Sequence, residues 1–236
     1  MKWVIVTGAS RGLGSELVKV LIENGHRVIG IARTATDSWS VAPSDNHLQF
    51  QCDLTDESMV KRTFSEIRKK GLTIGSLINN AGVFSSQLLQ TSSSNHIKDV
   101  LNSNLISTLL TTREVSKMMR SSGGGSVISV SSIAVSIPMP GNSIYAASKV
   151  AVEELMRGFA TEFRGSGITF NSLRISFVEG TGMVNSLTTE PRRIYESRLL
   201  EPNPLSVHEI YHAIQFFESS LARSITGQVL SLGSPD

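Results

Sequence analysis

Residues 3–25 of the chain are "WVIVTGASRGLGSELVKVLIENG", and this stretch decides the fold. Its first part, Trp3–Thr7, is a short apolar run that predicts a strand buried on both faces. Glycines follow at positions 8, 12 and 14, and the apolar residues beyond them recur at helical spacing (Leu13, Leu17, Val20 and Leu21). Asn24-Gly25 then supplies a helix stop signal. The stretch therefore predicts a strand, a glycine-rich turn and a helix in direct succession.

The same alternation of strand and helix continues along the chain. It implies right-handed crossovers and a parallel sheet covered on both faces. We predict an α/β protein: a single domain over residues 1–236 with a doubly wound, seven-stranded parallel sheet (a Rossmann fold) and helices on both faces. The weakly periodic residues 176–203 are expected to form a long functional loop or substrate lid. The further predicted strands are Arg27–Ala32, Leu48–Cys52, Ser76–Asn79, Ser126–Val130, Thr169–Ile175 and Gln228–Leu232, and the further helices are Glu57–Lys70, Asn95–Met119, Ser143–Arg164 and Val207–Ser219.

The composition argues against several classes of partner. The chain is 40% hydrophobic and 18% charged, and its 22 Lys and Arg against 20 Asp and Glu give a net charge of +2. This balance gives little electrostatic reason to expect nucleic acid or an anionic membrane. The single cysteine, Cys52, permits no intrachain disulfide and is predicted to be buried. No apolar stretch is long enough for a signal peptide or a membrane span, so we expect a cytoplasmic protein.

The glycine-rich turn is placed where a dinucleotide site would need it. Backbone N–H groups at the start of the helix can approach a pyrophosphate there, although a turn of this kind can also be purely structural. Dinucleotide sites commonly carry an acidic residue at the end of the second strand, but this strand ends in Ala32 and Arg33. Arg11 and Arg33 would attract a 2′-phosphate, which favours NADP over NAD. The alternatives are that both arginines are simply solvated, or that Asp37 takes the role of the acid.

Other motifs fit the same site. Asp53 follows the third strand, where a carboxylate can accept a hydrogen bond from an adenine amino group. "NNAG" (79–82) ends the fourth strand with small residues that suit close approach of the backbone to a cofactor. Tyr145 and Lys149, in "YAASK", share one face of a predicted helix. A neighbouring ammonium stabilises the phenolate form of a tyrosine, whose ordinary pKa is about 10.

In order and spacing, these motifs resemble the short-chain dehydrogenase/reductase family over essentially the whole chain. The resemblance rests on T-G-x-x-x-G-x-G at 7–14, Asp53, "NNAG", Asn104 in "LNSNLIS", Ser132 thirteen residues before Tyr145, and Y-x-x-x-K at 145–149. "TGASRGLG" and "ITGQVL" (225–230) look most like the 3-oxoacyl-carrier-protein reductase branch. The resemblance implies an NADPH-dependent reductase that transfers hydride to a ketone or a 3-oxoacyl-type carbonyl.

The resemblance also assigns roles to residues. Tyr145 would donate a proton to the substrate, Ser132 would hydrogen-bond its oxygen, and Lys149 would tune Tyr145 and hold the nicotinamide ribose. Asn104 would bind a water that relays protons to Lys149. The implied cofactor contacts are Gly8, Ser10, Arg11, Gly12, Leu13, Gly14, Arg33, Asp53, Leu54, Asn80, Ala81, Gly82, Tyr145, Lys149, Val178 and Thr181.

The chain departs from the family pattern after the sixth strand. Ile175-Ser176 stand where the family usually has Pro-Gly, and Thr181 lies one place beyond the expected threonine. Acyl-carrier-protein reductases tend to carry basic residues just before the fifth and sixth strands, where they can bind an acidic carrier protein. Here those places hold "GGGS" and "GSG", which disfavours binding of a carrier protein. The sequence does not decide the substrate or the direction of the reaction. The resemblance implies a homo-oligomer, which can be a tetramer or a dimer. The alternatives are a reductase of specialised metabolism and a non-catalytic NADP-binding sensor or scaffold.

A second motif points elsewhere. "HEIYH" (208–212) matches H-E-x-x-H, in which two histidines on one helical face can bind zinc. The flanking residues predict an ordinary amphipathic helix capped by Ser206, and no further histidine follows. We therefore interpret the motif as part of a helix surface and expect no metal.

Overall fold

The computed structural model describes residues 2–35, 37, 39–180, 193–194 and 196–233. The strands are β1 (Trp3–Thr7), β2 (Arg27–Ala32), β3 (His47–Gln51), β4 (Ile74–Asn79), β5 (Gly125–Ser132), β6 (Ile168–Ile175) and β7 (Val229–Leu232). The helices are α1 (Gly12–Glu23), α2 (Glu57–Lys69), α3 (Ser94–Leu101), α4 (Ser107–Ser121), α5 (Ser143–Glu162) and α6 (Val207–Glu218).

The strands form one seven-stranded sheet in the order β3-β2-β1-β4-β5-β6-β7. Every neighbouring pair is parallel. The predicted α/β class with a doubly wound parallel sheet is therefore confirmed. The strand order reverses direction between β1 and β4, and a crevice opens at the carboxyl ends of such strands. This topology places the glycine-rich turn after β1 and the "NNAG" segment after β4 side by side.

The core lies on both faces of the sheet, which explains why β1 is apolar throughout. Val4 and Val6 pack with α1 and α6 on one face, whereas Trp3 and Ile5 pack with α2, α4 and α5 on the other. Alternate residues of a strand point to opposite faces, so a strand covered on both sides must be apolar at every position. Cys52 belongs to the second cluster and is fully buried, as predicted. Burial raises the pKa of its thiol.

One predicted helix is divided in the structure. The apolar period predicted a continuous helix over Asn95–Met119, but α3 ends at Leu101 and α4 begins at Ser107. Between them, Asn102–Ile106 forms a π-helical turn that contains Asn104. A π turn inserts a residue without breaking the chain of backbone hydrogen bonds, and such turns are frequent at functional sites. The other predicted strands and helices end within two residues of the observed ones.

The "HEIYH" motif opens α6, and its glutamate has a capping role. The Glu209 carboxylate accepts hydrogen bonds from the Ser206 backbone N–H and hydroxyl, both at 2.8 Å. The Ser206 hydroxyl accepts in turn from the Glu209 N–H, which completes a capping box. These hydrogen bonds lower the pKa of the Glu209 carboxyl. Within the described residues no group of three or more His, Cys, Asp or Glu could hold a metal ion. None of the described helices is long and apolar enough to cross a membrane.

Candidate active site

The glycine-rich turn after β1 is shaped by close backbone contacts. A Cβ added at Gly14 would lie 2.2 Å from the carbonyl oxygen of Gly8, so only glycine allows α1 to start this close to β1. Gly8 itself has a φ of +68°, a left-handed conformation that glycine adopts without strain. No side chain in the described part of the chain caps α1 at Arg11. The first N–H groups of the helix therefore point out of the turn without a side-chain partner.

The ends of β1 and β4 are held together by Thr7 and Asn80. The Thr7 hydroxyl accepts hydrogen bonds from the N–H groups of Asn80 and Ala81, each at 3.0 Å. The Asn80 side-chain amide donates in return to the Thr7 carbonyl at 3.0 Å. These reciprocal hydrogen bonds hold the ends of β1 and β4 together at the point where the strand order reverses. The Asn80 side chain thus shapes the glycine-rich turn, which the sequence did not indicate.

A cavity of about 500 Å³ opens above this edge of the sheet. Its lining contains every described residue predicted to contact the cofactor, from Gly8 through Val178. It also contains Ser132, Tyr145 and Lys149 from the predicted catalytic set. Thr181 lies outside the described residues, so its predicted contact stays a prediction. One continuous cavity therefore joins the glycine-rich turn to the tyrosine and the lysine.

One end of this cavity is basic. Arg11 and Arg33 are exposed and line it beside Ser10 and Thr34. Neither arginine forms a salt bridge with a carboxylate in the described part of the chain. Asp53 lines the cavity as well, and its Oδ1 accepts from the N–H and hydroxyl of Thr55 at 3.0 and 2.7 Å. Asp53 is the one acidic residue among the described residues that line the cavity. Asp37, the alternative acid, does not line it.

The other end of the cavity holds Tyr145 on α5, which is 3% exposed. The ring of Phe84 packs edge-on against the Tyr145 ring, with centroids 5.1 Å apart. The Lys149 ammonium lies one helical turn further along and 5.9 Å from the centre of that ring. Phe84 lines the cavity beside Tyr145, so this aromatic contact limits the directions from which a substrate can reach the phenol.

Lys149 is buried, with 6% exposure, and donates a hydrogen bond to the Val130 carbonyl at 2.9 Å. Burial lowers the pKa of its ammonium from 10.5 to about 8, and the nearby Glu153 carboxylate opposes that shift. The amine is thus mostly charged near neutral pH, but only by a modest margin. This electrostatic balance places its titration close to the physiological range.

Asn104 fixes the segment that faces Lys149. Its Oδ1 accepts from the Val83 N–H at 2.7 Å, and its Nδ2 donates to the Val83 carbonyl at 3.1 Å and to the Ser148 hydroxyl at 2.9 Å. Both hydrogens of the Asn104 side-chain amide are therefore used. A water bound to Asn104 would have to donate a hydrogen bond to an oxygen of Asn104. A Cβ added at Gly82 would lie 2.8 Å from the Asn104 Oδ1 and 3.6 Å from the Lys149 Nζ. The two side chains thus meet beside Gly82.

Ser132 ends β5 and turns its hydroxyl toward the following loop. The Oγ accepts a hydrogen bond from the Ala134 N–H at 3.2 Å, so the hydroxyl hydrogen can still be donated. Ile133, Ile137 and Phe177 form a small apolar cluster beside this loop, together with Met139 and Leu199 at its margin. A carbonyl oxygen that reached Ser132 would therefore have apolar surface beside it.

The sequence pattern of a family described as short chain dehydrogenase matches residues 2–192 of the chain. The chain belongs to this family. Its members are oxidoreductases, and the family predicted from the motifs is confirmed.

Two curated relatives show how far the likeness extends. The carbonyl reductase family member 4 of Danio rerio is 32% identical over 231 residues, which cover 96% of this chain and 94% of the relative. The 3-oxoacyl-[acyl-carrier-protein] reductase of Vibrio harveyi is 29% identical over 231 residues, which cover 97% of this chain and 94% of the relative. The similarity to both relatives therefore runs over nearly the whole chain.

Solved structures share the fold of this short-chain dehydrogenase. A crystal structure described as a putative gluconate dehydrogenase from Agrobacterium tumefaciens superposes with a TM-score of 0.90 at 22% identity, covering 98% of this chain and 94% of that one. A 4-hydroxyisoleucine dehydrogenase complexed with NADH gives a TM-score of 0.85 at 23% identity, covering 99% and 98%. At these identities the likeness concerns the fold alone.

The end of β6 is where the sequence has Ile175-Ser176 in place of the expected Pro-Gly. Ile175 continues the strand and pairs with Ser132 on one side and Leu232 on the other. The Ser176 N–H then donates to the Leu232 carbonyl at 3.1 Å, so the sheet continues past the place of the usual Pro-Gly. A Cβ added at Gly233 would lie 2.6 Å from the Ser176 Oγ. The serine thus occupies space that Gly233 leaves open.

A pair of charged residues that the sequence motifs do not indicate lies behind the site. Arg174 on β6, which is partly buried, forms an ion pair with the buried Glu153 on α5, and Ser131 on β5 donates to the Glu153 carboxylate. The signal in the sequence was an arginine inside a buried strand, "ITFNSLRI", where a lone cation needs a partner. The partner lies 21 residues earlier on another element, so spacing alone did not reveal it.

Proposed function

We propose that this short-chain dehydrogenase is an NADPH-dependent reductase of a ketone or 3-oxoacyl-type carbonyl. One observation carries the proposal: a single cavity joins the glycine-rich turn and its arginines to Ser132, Tyr145 and Lys149. A dinucleotide needs the first end, and proton transfer to a carbonyl oxygen needs the second.

The residues present fit a bound dinucleotide. Gly12 has a φ of +56°, and a Cβ added there would meet nothing within 4 Å, so space lies open beside the first turn of α1. The uncapped N–H groups of that turn suit a pyrophosphate. Asp53 is suited to accept from an adenine amino group, and Val178 to offer its backbone to the nicotinamide. The hydride is the chemistry that bound NADPH supplies.

The choice of NADPH over NADH rests on charge at the basic end. Arg11 and Arg33 are exposed cations that form no salt bridge within the described residues, so their guanidinium groups are available to a 2′-phosphate. Ala32 stands where an acidic residue would otherwise bind the ribose hydroxyls and repel that phosphate. The positive potential at this end favours the phosphorylated cofactor.

The chain's own residues account for the proton transfer. The Ser132 hydroxyl donates a hydrogen bond to the substrate carbonyl oxygen and stabilises the negative charge that develops on it. Tyr145 gives its phenolic proton to that oxygen, and the charged Lys149 stabilises the phenolate left behind. Asn104 holds the Val83 backbone and Ser148 in place, so that Lys149 keeps its position beside Gly82. A water on an Asn104 oxygen can then return a proton through Lys149.

The nature of the substrate follows from the surroundings of Ser132. The apolar cluster of Ile133, Ile137 and Phe177 favours a carbonyl that carries an alkyl, aryl or acyl group. The two relatives described above act on carbonyl and 3-oxoacyl substrates by their names, which supports the same class. We further propose a homo-oligomer, tetramer or dimer, paired through the region 95–119 and α5.

The test is NADPH oxidation with a panel of ketones and 3-oxoacyl thioesters, followed by absorbance. Tyr145→Phe should abolish turnover while NADPH binding, measured by fluorescence titration, stays within about threefold of the wild type. Tyr211→Phe is the matched control, because Tyr211 lies on α6 and contacts His26 and Gln215, away from the cavity. Unchanged turnover in Tyr145→Phe would reject its role. Tight NADPH binding without any turnover in the wild type would favour the NADP-binding sensor instead.

A further inference from the structure

Arg174 and Glu153 form a two-pronged ion pair behind the catalytic wall. The Arg174 Nε donates to the Glu153 Oε1 at 3.0 Å, and the Arg174 Nη2 donates to the Oε2 at 2.8 Å. Their side chains are 16% and 8% exposed. This arrangement matches the fork of a guanidinium to both oxygens of a carboxylate, the geometry with the greatest directional specificity among ion pairs.

The pair lies directly behind Lys149. Glu153 follows Lys149 by one helical turn on α5, so both side chains lie on the same side of the helix. Three successive residues at the end of β5 contact Lys149, Glu153 and the proposed substrate, in that order. The Val130 carbonyl accepts from Lys149, the Ser131 hydroxyl donates to Glu153 at 2.6 Å, and Ser132 follows as the substrate contact.

Arg174 also reaches the loop that borders the substrate cavity. Its Nη1 donates to the hydroxyl of Ser136 at 2.9 Å, and Ser136 directly follows the turn Ile133–Val135. In the sheet, Arg174 is paired with Ser131, so the register of β5 against β6 brings it to this end of the sheet. The guanidinium therefore joins β6, α5 and the loop beside Ser132.

Stability alone does not explain this cluster. Removing two charges from water costs several kcal/mol per ion, and replacing a buried ion pair by apolar residues is often neutral or stabilising. The pair's position suggests an electrostatic reason instead. Within the described residues, Lys149 faces Tyr145 and Glu153 from α5, and through Glu153 it faces Arg174 from β6. From β5 it meets the Val130 carbonyl, and the Asn104 side chain of the π turn lies near it beside Gly82.

We infer that Glu153 and Arg174 are positioning residues for the proposed reductase: Glu153 keeps the buried Lys149 ammonium charged, and Arg174 fixes where the Glu153 carboxylate stands. The inference rests on the proposed function in that Lys149 must be charged to support Tyr145. It assigns opposite electrostatic effects to the two partners. Loss of Glu153 removes the carboxylate that opposes the effect of burial on Lys149, whereas loss of Arg174 removes the cation that is paired with that carboxylate.

The test compares Glu153→Gln, Arg174→Met and the double variant by the pH at which kcat/KM falls on the alkaline side. Glu153→Gln should move this limb to lower pH by about one unit or more, a tenfold change in the proton dissociation constant. Arg174→Met should move it to higher pH, and the double variant should return it to within about half a unit of the wild type. Glu153→Asp, which keeps the charge, should retain the wild-type limb.

A merely structural pair would lower kcat in every variant without moving the limb, and that result would overturn the inference. If Glu153→Gln does not fold, Arg174→Met alone decides the inference. An alkaline limb that stays in place or moves to lower pH in Arg174→Met would contradict the role assigned to the ion pair. The titration of Lys149 is also measured without turnover, from the unfolding free energy of each variant minus that of its Lys149→Met partner across pH. An inactive wild type would reject the proposed reductase, whereas this second measurement still decides whether Glu153 keeps Lys149 charged.

Discussion

The buried ammonium of Lys149 should make the stability of the protein depend on pH in a defined direction. Its pKa falls from 10.5 in water to about 8 in the folded chain, mainly because of burial. Between these values the unfolded chain binds the proton and the folded chain releases it. The free energy of unfolding rises with pH wherever the unfolded state holds more protons. Lys149 therefore destabilises the fold below about pH 8, and the penalty disappears as the pH approaches 10.5.

The size of the effect follows from the same two values. The shift from 10.5 to about 8 corresponds to a destabilisation of about 3 kcal/mol at low pH. Roughly 2 kcal/mol of this should be relieved between about pH 7 and about pH 9.5. Lys149→Met fills a similar space without a proton to lose, so its stability lacks this contribution. Wild type minus Lys149→Met should therefore increase by about 2 kcal/mol across that range.

Urea unfolding of both proteins, followed by circular dichroism at one protein concentration, measures this difference. Titrating groups that lie away from Lys149 are common to the two chains and cancel in the subtraction. A difference that stays flat within about 0.5 kcal/mol, or that falls as the pH rises, would refute the burial argument for Lys149. It would mean that the ammonium is solvated in the folded protein.

Two further predictions concern the cofactor end. Replacing Arg11 and Arg33 together by Gln should weaken NADPH binding by about 100-fold or more, because each charge-assisted hydrogen bond contributes about 1.5–3 kcal/mol. NADH binding, measured by the same fluorescence titration, should change by less than about threefold, and equal losses would contradict the 2′-phosphate assignment. Thr7→Val should cost about 2–4 kcal/mol in urea unfolding, because the N–H groups of Asn80 and Ala81 lose their acceptor. Thr7→Ser keeps the hydroxyl as the control, and equal stability of the two variants would show that these bonds contribute nothing.

Local patterns in the sequence were enough to predict the fold, and they singled out residues that now line one cavity. The glycine spacing after β1 predicted the turn because Gly14 has no room for a Cβ against Gly8. Tyr145 and Lys149 were predicted from helical spacing on one face. The π turn around Asn104 was not predictable, since α3 and α4 together keep the apolar period of a continuous helix. Contacts between distant segments, such as Thr7 with Asn80, depend on strand order and leave no local signal.

The end of β6 lines the cavity and is restrained without the Pro-Gly pair that the family resemblance led us to expect there. A proline would remove a backbone donor, whereas Ile175 and Ser176 continue the sheet as far as Leu232. Beyond them, the Leu205 N–H donates to the Phe177 carbonyl at 2.7 Å and the Glu179 N–H donates to the Leu205 carbonyl at 2.9 Å. Arg174, directly before Ile175, adds its bonds to Glu153 and Ser136. Backbone pairing and the Arg174–Glu153 ion pair thus restrain this part of the cavity lining, where a proline ring would otherwise restrict the backbone. The same arginine binds the carboxylate that opposes the effect of burial on Lys149. If the proposed role of Lys149 holds, Arg174 therefore acts on both the end of β6 and the charge of that lysine.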